Sequence, residues 1–417
     1  MTEQPRTRQE PYHQIRQTSK QEFILSEMPE QGLEESRSKH QETQERNGQK
    51  RLDRITAWNK QQQHDITYLG EGVSKGLQNR ECDRVRLQQN NLPVFETIED
   101  LATAMKLTVS QLRFLAFSRK TSTVSHYVRF KIAKKTGGDR LISAPMPRLK
   151  RAQHWILDAI LEKVAQHPAS HGFRRGRSII TNARPHVGAA VVINLDLKDF
   201  FPSINYKRIK GIFQTLGYSE AIATVLGLVC TESDMAEGFH NGKTYFVALG
   251  DRHLPQGAPT SPALTNILCR RLDSRLSQMA SVEGYTYTRY ADDLTFSGDD
   301  RSRIPAILKQ TDSIVKNEGL TLHPDKTRVQ RSTQQQEVTG IVVNEKLNID
   351  RTTLKNFRAT LHHIEKDGLA GKTWGTCGNL IAAIEGFANY VSMVNPDKGT
   401  ILVQQVKNIK KKYGKRN

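Results

Sequence analysis

Two short runs of the 417-residue sequence end in aspartate: Asp196 in NLDLKDFFPSI, and Asp292 with Asp293 in YADD. The VVINLDL run from Val191 to Leu197 has the β-branched content of a buried strand, and YTYTRYADDLTFSG reads as strand, tight turn and strand. Adjacent aspartates at a hairpin tip repel each other, and a third from a neighbouring strand adds to that cost unless a cation neutralises the set. Oxygen ligands without His or Cys favour Mg²⁺ or Mn²⁺, and a pair of such ions can clamp the attacking and leaving oxygens of a phosphoryl transfer. Taken alone, YADD is equally an ordinary polar turn, because aspartate is common in turns.

The elements that must position these carboxylates are mixed. HYVRFKIAKKTGGDRLISAP alternates apolar and polar residues on both sides of Gly137-Gly138, which predicts a β-hairpin with Lys134, Lys135 and Arg140 at its tip. TIEDLATAM (Thr97 to Met105) and TVSQLRFLAF (Thr108 to Phe117) predict two short helices with capping-box spacing at Thr97/Asp100 and Thr108/Gln111. Such a pair is more often a packing element than a DNA-reading helix-turn-helix. A helix is expected from Leu149 to Val164, and helical patterns lie between and after the two aspartate runs. This is an α+β order, without the regular alternation of a doubly wound sheet.

Composition limits the partners. The net charge of +19 points to a polyanion, with nucleic acid the first candidate. Residues 1–60 are rich in Gln, Glu, Arg, Ser and Lys, a composition that predicts disorder or a helix formed on binding. After Asn348 the pattern is helical and basic, through Lys407, Lys410, Lys411, Lys412, Lys415 and Arg416. There is no apolar run of membrane-spanning length and no signal-peptide core in MTEQPRTRQE, so the expectation is a cytoplasmic protein without a membrane partner. Cys82, Cys230, Cys269 and Cys377 lack the spacing of a zinc site or a disulfide framework.

Around the aspartates the sequence carries an ordered set of motifs that resembles the palm of reverse transcriptases, from about Leu92 onward. LDLKDFFPSI resembles the first catalytic motif, with Asp196 as a metal ligand. Phe201 stands where that family places the aromatic ring that excludes a 2′-hydroxyl on the incoming nucleotide; core packing is the alternative. LPQGAPTSP (Leu254 to Pro262) is similar to the second palm motif, whose Gln256 and Gly257 would touch the nucleotide and the template-primer backbone. YADD supplies Tyr290, Asp292 and Asp293. GLTLHPDKTR puts Lys326 where the family has a basic residue near the departing pyrophosphate, against the alternative of a plain surface lysine. Arg140 and one of Lys134 and Lys135 correspond to the fingers residues that grip the dNTP triphosphate. The resemblance implies a right-hand polymerase fold of fingers, palm and thumb, with two Mg²⁺ ions.

Two further segments resemble retron reverse transcriptases. NARPH (Asn182 to His186) is similar to their NAxxH element, and VTG (Val338, Thr339 and Gly340) to the short motif they carry after the palm. The resemblance implies RNA contact for both; a polar contact that stabilises a loop is the alternative for Asn182 and His186. The segment before Leu92, including YLGEGVSKGL, resembles the arm of the longer myxobacterial-type members. The expected organisation is an extension at 1–91, fingers and palm at 92–345, and a basic helical thumb at 346–417. The family further implies a cognate structured non-coding RNA and a DNA product primed from a guanosine 2′-hydroxyl to give branched RNA-DNA (msDNA). It also implies RNA removal by host RNase H, and antiphage defence in which enzyme and product restrain a toxic effector protein. The competing readings are a group II intron-type or other bacterial reverse transcriptase, and a non-catalytic RNA-binding scaffold with a relic palm. NARPH and VTG argue against the first; intact Asp196, Asp292, Asp293, Gln256 and Lys326 argue against the second.

Overall fold

The computed structural model of the protein describes residues 30–133, 137–376 and 378–413. The chain divides into two units, Met1–Asp65 and Ile66–Asn417. In the first, the described residues form one helix, Glu30–His64. It is polar on nearly all sides and laced by pairs one turn apart, such as Gln49 with Asp53 at 2.8 Å.

The second unit opens with the stretch 66–91, grouped above with the extension, which contributes Ile66, Leu69, Leu77 and Leu87 to the main core. Helices Ile98–Ala104 and Val109–Ala116 follow, and both capping boxes form. Their apolar stripes, including Leu101 and Leu112, are fully buried in the same core, so the pair packs rather than presenting a face to DNA. Next come β1 (Thr121–Ser122), β2 (Tyr127–Ala133) and β3 (Asp139–Pro145). β2 and β3 form the expected hairpin, paired from Tyr127↔Pro145 to Ala133↔Asp139. Lys134 and Lys135 lie outside the described residues. The following helix, Pro147–Ala159, stops short of Val164 because Ile160 leaves helical geometry and a 3₁₀ turn takes over at Leu161–Lys163.

After β4 (Val191–Asp196) come helices Tyr206–Leu216 and Glu220–Cys230; the second is buried from Ala221 to Cys230, hydrophobic all round as an interior helix is. The pattern between the two aspartate runs predicts helix throughout. Instead β5 (Glu232–His240) and β6 (Lys243–His253) form a long antiparallel ribbon that β1 joins. The signal for it is Asn241-Gly242, both at positive φ (48° and 73°), the preferred dipeptide of a tight hairpin turn. Helices Ser261–Leu268 and Arg270–Val282 lead into β7 (Thr286–Tyr290) and β8 (Asp293–Gly298). Helix Ile304–Asn317 precedes β9 (Arg328–Arg331), β10 (Glu337–Val338) and β11 (Ile341–Val342).

The central sheet has the antiparallel order β7-β8-β4-β9. Side chains alternate between its faces. Val191, Ile193 and Leu195 face the main core, whereas Val192 joins a second cluster with Val338, Ile341 and the C-terminal helices Arg351–Asp367, Leu380–Val394 and Pro396–Tyr413. At the centre of that cluster Phe357 meets Trp374 and Phe387 with ring centroids 4.8 and 4.6 Å apart. Hairpin, central sheet and C-terminal helices together have the mixed α+β make-up expected of a right-hand polymerase fold. Phe357→Ala should remove about 3–5 kcal/mol from the packing of the last three helices. Limited proteolysis checks this: cleavage should accelerate within 351–413 while the palm resists.

Candidate active site

Strand register brings the aspartates together. Asp196 at the end of β4 is the cross-strand partner of Asp293 at the start of β8, and Tyr290 at the end of β7 is Asp293's partner on the other side. Directly opposed residues share a face, so Asp196, Asp293 and Tyr290 project from one end of one side of the sheet. Asp292 lies in the two-residue turn between β7 and β8, where its carbonyl accepts the Leu197 N–H at 2.9 Å. The segment after helix Ile304–Asn317 runs beside the end of β4: Lys198 N–H donates to the Thr321 carbonyl, and His323 N–H to that of Asp196. That path delivers Lys326, whose Nζ lies 2.8 Å from Asp196 Oδ1.

The charges are poorly compensated. Burial, then the negative charge of Asp196, raises Asp292 above the ordinary carboxylate range, with Lys326 and Arg140 pulling the other way. Burial, then Asp292 and Asp196, pushes Asp293 up to about 7. Among the described residues no three His, Cys, Asp or Glu side chains close into a ready-made ligand cage, and one oxygen of Asp196 is engaged by Lys326. The donor set is still that of a hard divalent cation: carboxylate oxygens at one point of the fold, short of positive charge, without nitrogen or sulfur ligands.

The neighbouring motif residues divide by what they touch. Phe201 is half-buried against Phe200 and Phe173, with centroids 5.6 and 6.4 Å away, leaving part of its ring accessible. The Gln256 carbonyl accepts the Ser143 N–H of β3 at 2.8 Å. Gly257 has φ +128°, and a Cβ there would stand 2.9 Å from the Ser143 carbonyl oxygen. The close approach that demands glycine is therefore already made by the fingers strand. Arg140, exposed on β3 opposite Ile132, is near enough to influence Asp292.

NARPH and VTG turn out to be neighbours. Asn182 and His186 are fully buried. The His186 ring nitrogens lie 2.7 Å from the hydroxyls of Ser297 on β8 and Thr288 on β7. Asn182 Nδ2 faces Thr339 Oγ1 at 3.5 Å. Thr339 and Gly340, both at positive φ, turn β10 into β11, and Val338 is buried beneath them. Tyr390 of the helical cluster donates its hydroxyl to the Gly340 carbonyl at 3.2 Å. Asn182, His186 and Val338, the residues expected at RNA, have their side chains enclosed where the central sheet and the C-terminal helices join. Arg184, Pro185 and Gly340 are the exposed parts of the two motifs. Sequence reasoning also passed over Arg289 and Asp273, a fully buried ion pair beside the aspartate turn. An arginine in a strand otherwise destined for burial was the available signal, because a buried charge requires a partner.

Residues 132–343 match the family described as reverse transcriptase (RNA-dependent DNA polymerase). The chain is similar to the retron Mx162 reverse transcriptase of Myxococcus xanthus, 42% identical over 77% of this chain and 68% of the relative. It is also similar to the retron Mx65 enzyme of the same organism, 42% identical over 78% and 74%, and to the retron Ec86 reverse transcriptase of Escherichia coli, 34% identical over 79% and 94%.

The joint has a pH signature. Burial pushes the His186 imidazole down to about 3, whereas an unfolded histidine titrates near 6.5. Below about pH 6.5 the unfolded chain binds a proton that the native site refuses, so this contribution is intact above 6.5 and declines steadily toward pH 3. Between pH 7.5 and 5 the stability advantage of wild type over His186→Gln should narrow by roughly 2 kcal/mol. Urea denaturation of both proteins checks this; a gap independent of pH would refute it.

Proposed function

The chain belongs to the retron reverse transcriptases and is an RNA-directed DNA polymerase, and from there we propose that it copies part of a cognate structured non-coding RNA starting at a guanosine 2′-hydroxyl, giving branched RNA-DNA. The observation that carries the catalytic assignment is the convergence of Asp196, Asp292 and Asp293 in a setting short of positive charge. Asp196 and Asp292, with Asp293 nearby, would hold two Mg²⁺ ions, for which Mn²⁺ could substitute. Bound there, the ions would supply charge neutralisation at the attacking hydroxyl and at the departing pyrophosphate.

The chain's own residues do the rest. Lys326 stands beside Asp196 as a cation at the leaving-group side. Arg140, with Lys134 or Lys135, grips the triphosphate, the guanidinium by a fork and the ammonium as a point charge. Gln256 and Gly257 border the nucleotide and the template-primer backbone, Tyr290 lines the same face, and the accessible edge of Phe201 rests against the sugar. Most of the rate enhancement comes from fixed charge in fixed places. The helical thumb, with Lys407, Lys410 and Lys411 on its last helix, grips a heteroduplex or an RNA stem through phosphates. NARPH and VTG act on RNA through the thumb they anchor. The functional division is fingers and palm at 92–345 and thumb at 346–417.

The setting proposed for this activity is the cytoplasm; among the described residues no helix is long and apolar enough to cross a membrane. Host RNase H trims the template, and the retained product, with an effector protein, serves antiphage defence. Sequencing the nucleic acid that co-purifies with the protein tests the priming: DNA joined to an RNA 2′-hydroxyl is expected, and a linear transcript grown from a 3′ end overturns it. Primer extension tests the site. Asp292→Ala with Asp293→Ala should abolish synthesis on an RNA template. Phe201→Ala should keep dNTP incorporation while raising ribonucleotide incorporation about tenfold or more.

A further inference from the structure

The turn that carries Asp292 is unfavourable by itself. Its first residue, Ala291, sits at φ +58°, a region that glycine or asparagine enters easily and alanine does not. Something must hold it there. Arg289 precedes the turn on β7 and, by strand alternation, projects to the opposite side of the sheet from Tyr290. It does not face the nucleotide site. Its guanidinium makes five hydrogen bonds, one for each N–H it possesses. Nε and Nη2 donate to the two oxygens of Asp273, each at 2.7 Å. Nη2 also donates to Ser170 Oγ at 3.2 Å, and Nη1 to Asn266 Oδ1 at 3.1 Å. The fifth bond runs from Nη1 to the Ala291 carbonyl at 3.0 Å.

The partners are themselves tied down. Tyr287 hydroxyl donates to Asp273, Ser170 hydroxyl to Asn266, and Asn266 Nδ2 to the Gly172 carbonyl. Gly172 closes the turn from outside: a Cβ there would stand 2.5 Å from the Ala291 nitrogen. The segment before it is stitched to β7 through His171 N–H to the Arg289 carbonyl and Arg289 N–H to that of Ala169, each at 2.8 Å.

We propose that Arg289, neutralised by Asp273, is the positioning residue of the aspartate turn: it clamps the left-handed Ala291 peptide and thereby sets where Asp292 and Asp293 stand relative to Asp196. Only a planar fork meets all five acceptors; lysine keeps the charge and loses the geometry. The inference rests on the reading of the aspartates as metal ligands. Failure of that reading shows separately, as wild-type protein that binds no Mn²⁺.

The test compares wild type, Arg289→Lys, Arg289→Lys with Ala291→Gly, and Gly172→Ala, which presses on the same turn without touching the ion pair. Three quantities are measured: the extension rate on a synthetic RNA template with a DNA primer at saturating dNTP, Mn²⁺ affinity without nucleic acid by electron paramagnetic resonance, and affinity for a synthetic RNA-DNA heteroduplex. Arg289→Lys and Gly172→Ala should each lower the rate on the order of 100-fold, as small misplacements of reacting groups do. Both should weaken Mn²⁺ binding and leave heteroduplex affinity within about twofold of wild type, whose phosphate contacts lie elsewhere. Ala291→Gly should recover much of the rate in the Arg289→Lys background, because glycine takes the turn conformation unaided. Wild-type rate and Mn²⁺ affinity in a folded Gly172→Ala or Arg289→Lys protein overturn the proposal. So does a parallel loss of heteroduplex binding without rescue by glycine, which marks a merely structural role.

Discussion

Three carboxylates held at one end of a sheet repel one another, and the rest of this structure exists under that constraint. A flexible loop would relax the repulsion by moving apart. Here Asp196 and Asp293 are the terminal cross-strand pair of the two central strands, and the Asp292 peptide is tied by its carbonyl to Leu197. Pairing keeps the aspartates close, and burial first, with that repulsion added, raises the proton affinity of Asp292 and further that of Asp293. Buried carboxylates so placed favour added positive charge.

The two faces of the sheet share the work of holding that arrangement. One face packs Val191, Ile193 and Leu195 into the main core, where Arg289 and Asp273 also lie buried. The other face carries the aspartates at one end and, further along, Val192 with the hydroxyls of Thr288 and Ser297 that receive His186. The aspartates and the anchorage of the C-terminal helices therefore occupy successive positions of the same strands.

Polar burial has a consistent meaning in this molecule. His186, Asn182, Arg289 and Asp273 are enclosed, and each lies where two segments distant in sequence meet. Buried polar groups need specific partners at specific distances, so they define a joint more sharply than apolar packing does. The hairpin of β2 and β3 is joined to the palm differently, by the Ser143 to Gln256 hydrogen bond and by the bare Cα of Gly257 against β3.

The sequence by itself determined the chemistry and most of the local structure. The alternation in 126–145, the capping boxes at Thr97 and Thr108, and the strand ending in Asp196 are short-range patterns that backbone geometry obliges the chain to follow, and all appear in the fold. The ribbon β5–β6 was legible too, in Asn241-Gly242, although the expectation there was helix. What only the tertiary structure decided is which side chains become enclosed. Nothing within NARPH indicates that His186 fits between Thr288 and Ser297, because those partners lie over a hundred residues away in the chain. For the same reason Arg289 reads as one more basic residue in a basic protein, until folding brings Asp273, Asn266 and Ser170 around it. Burial depends on the sum of distant neighbours, and no local spacing carries that sum.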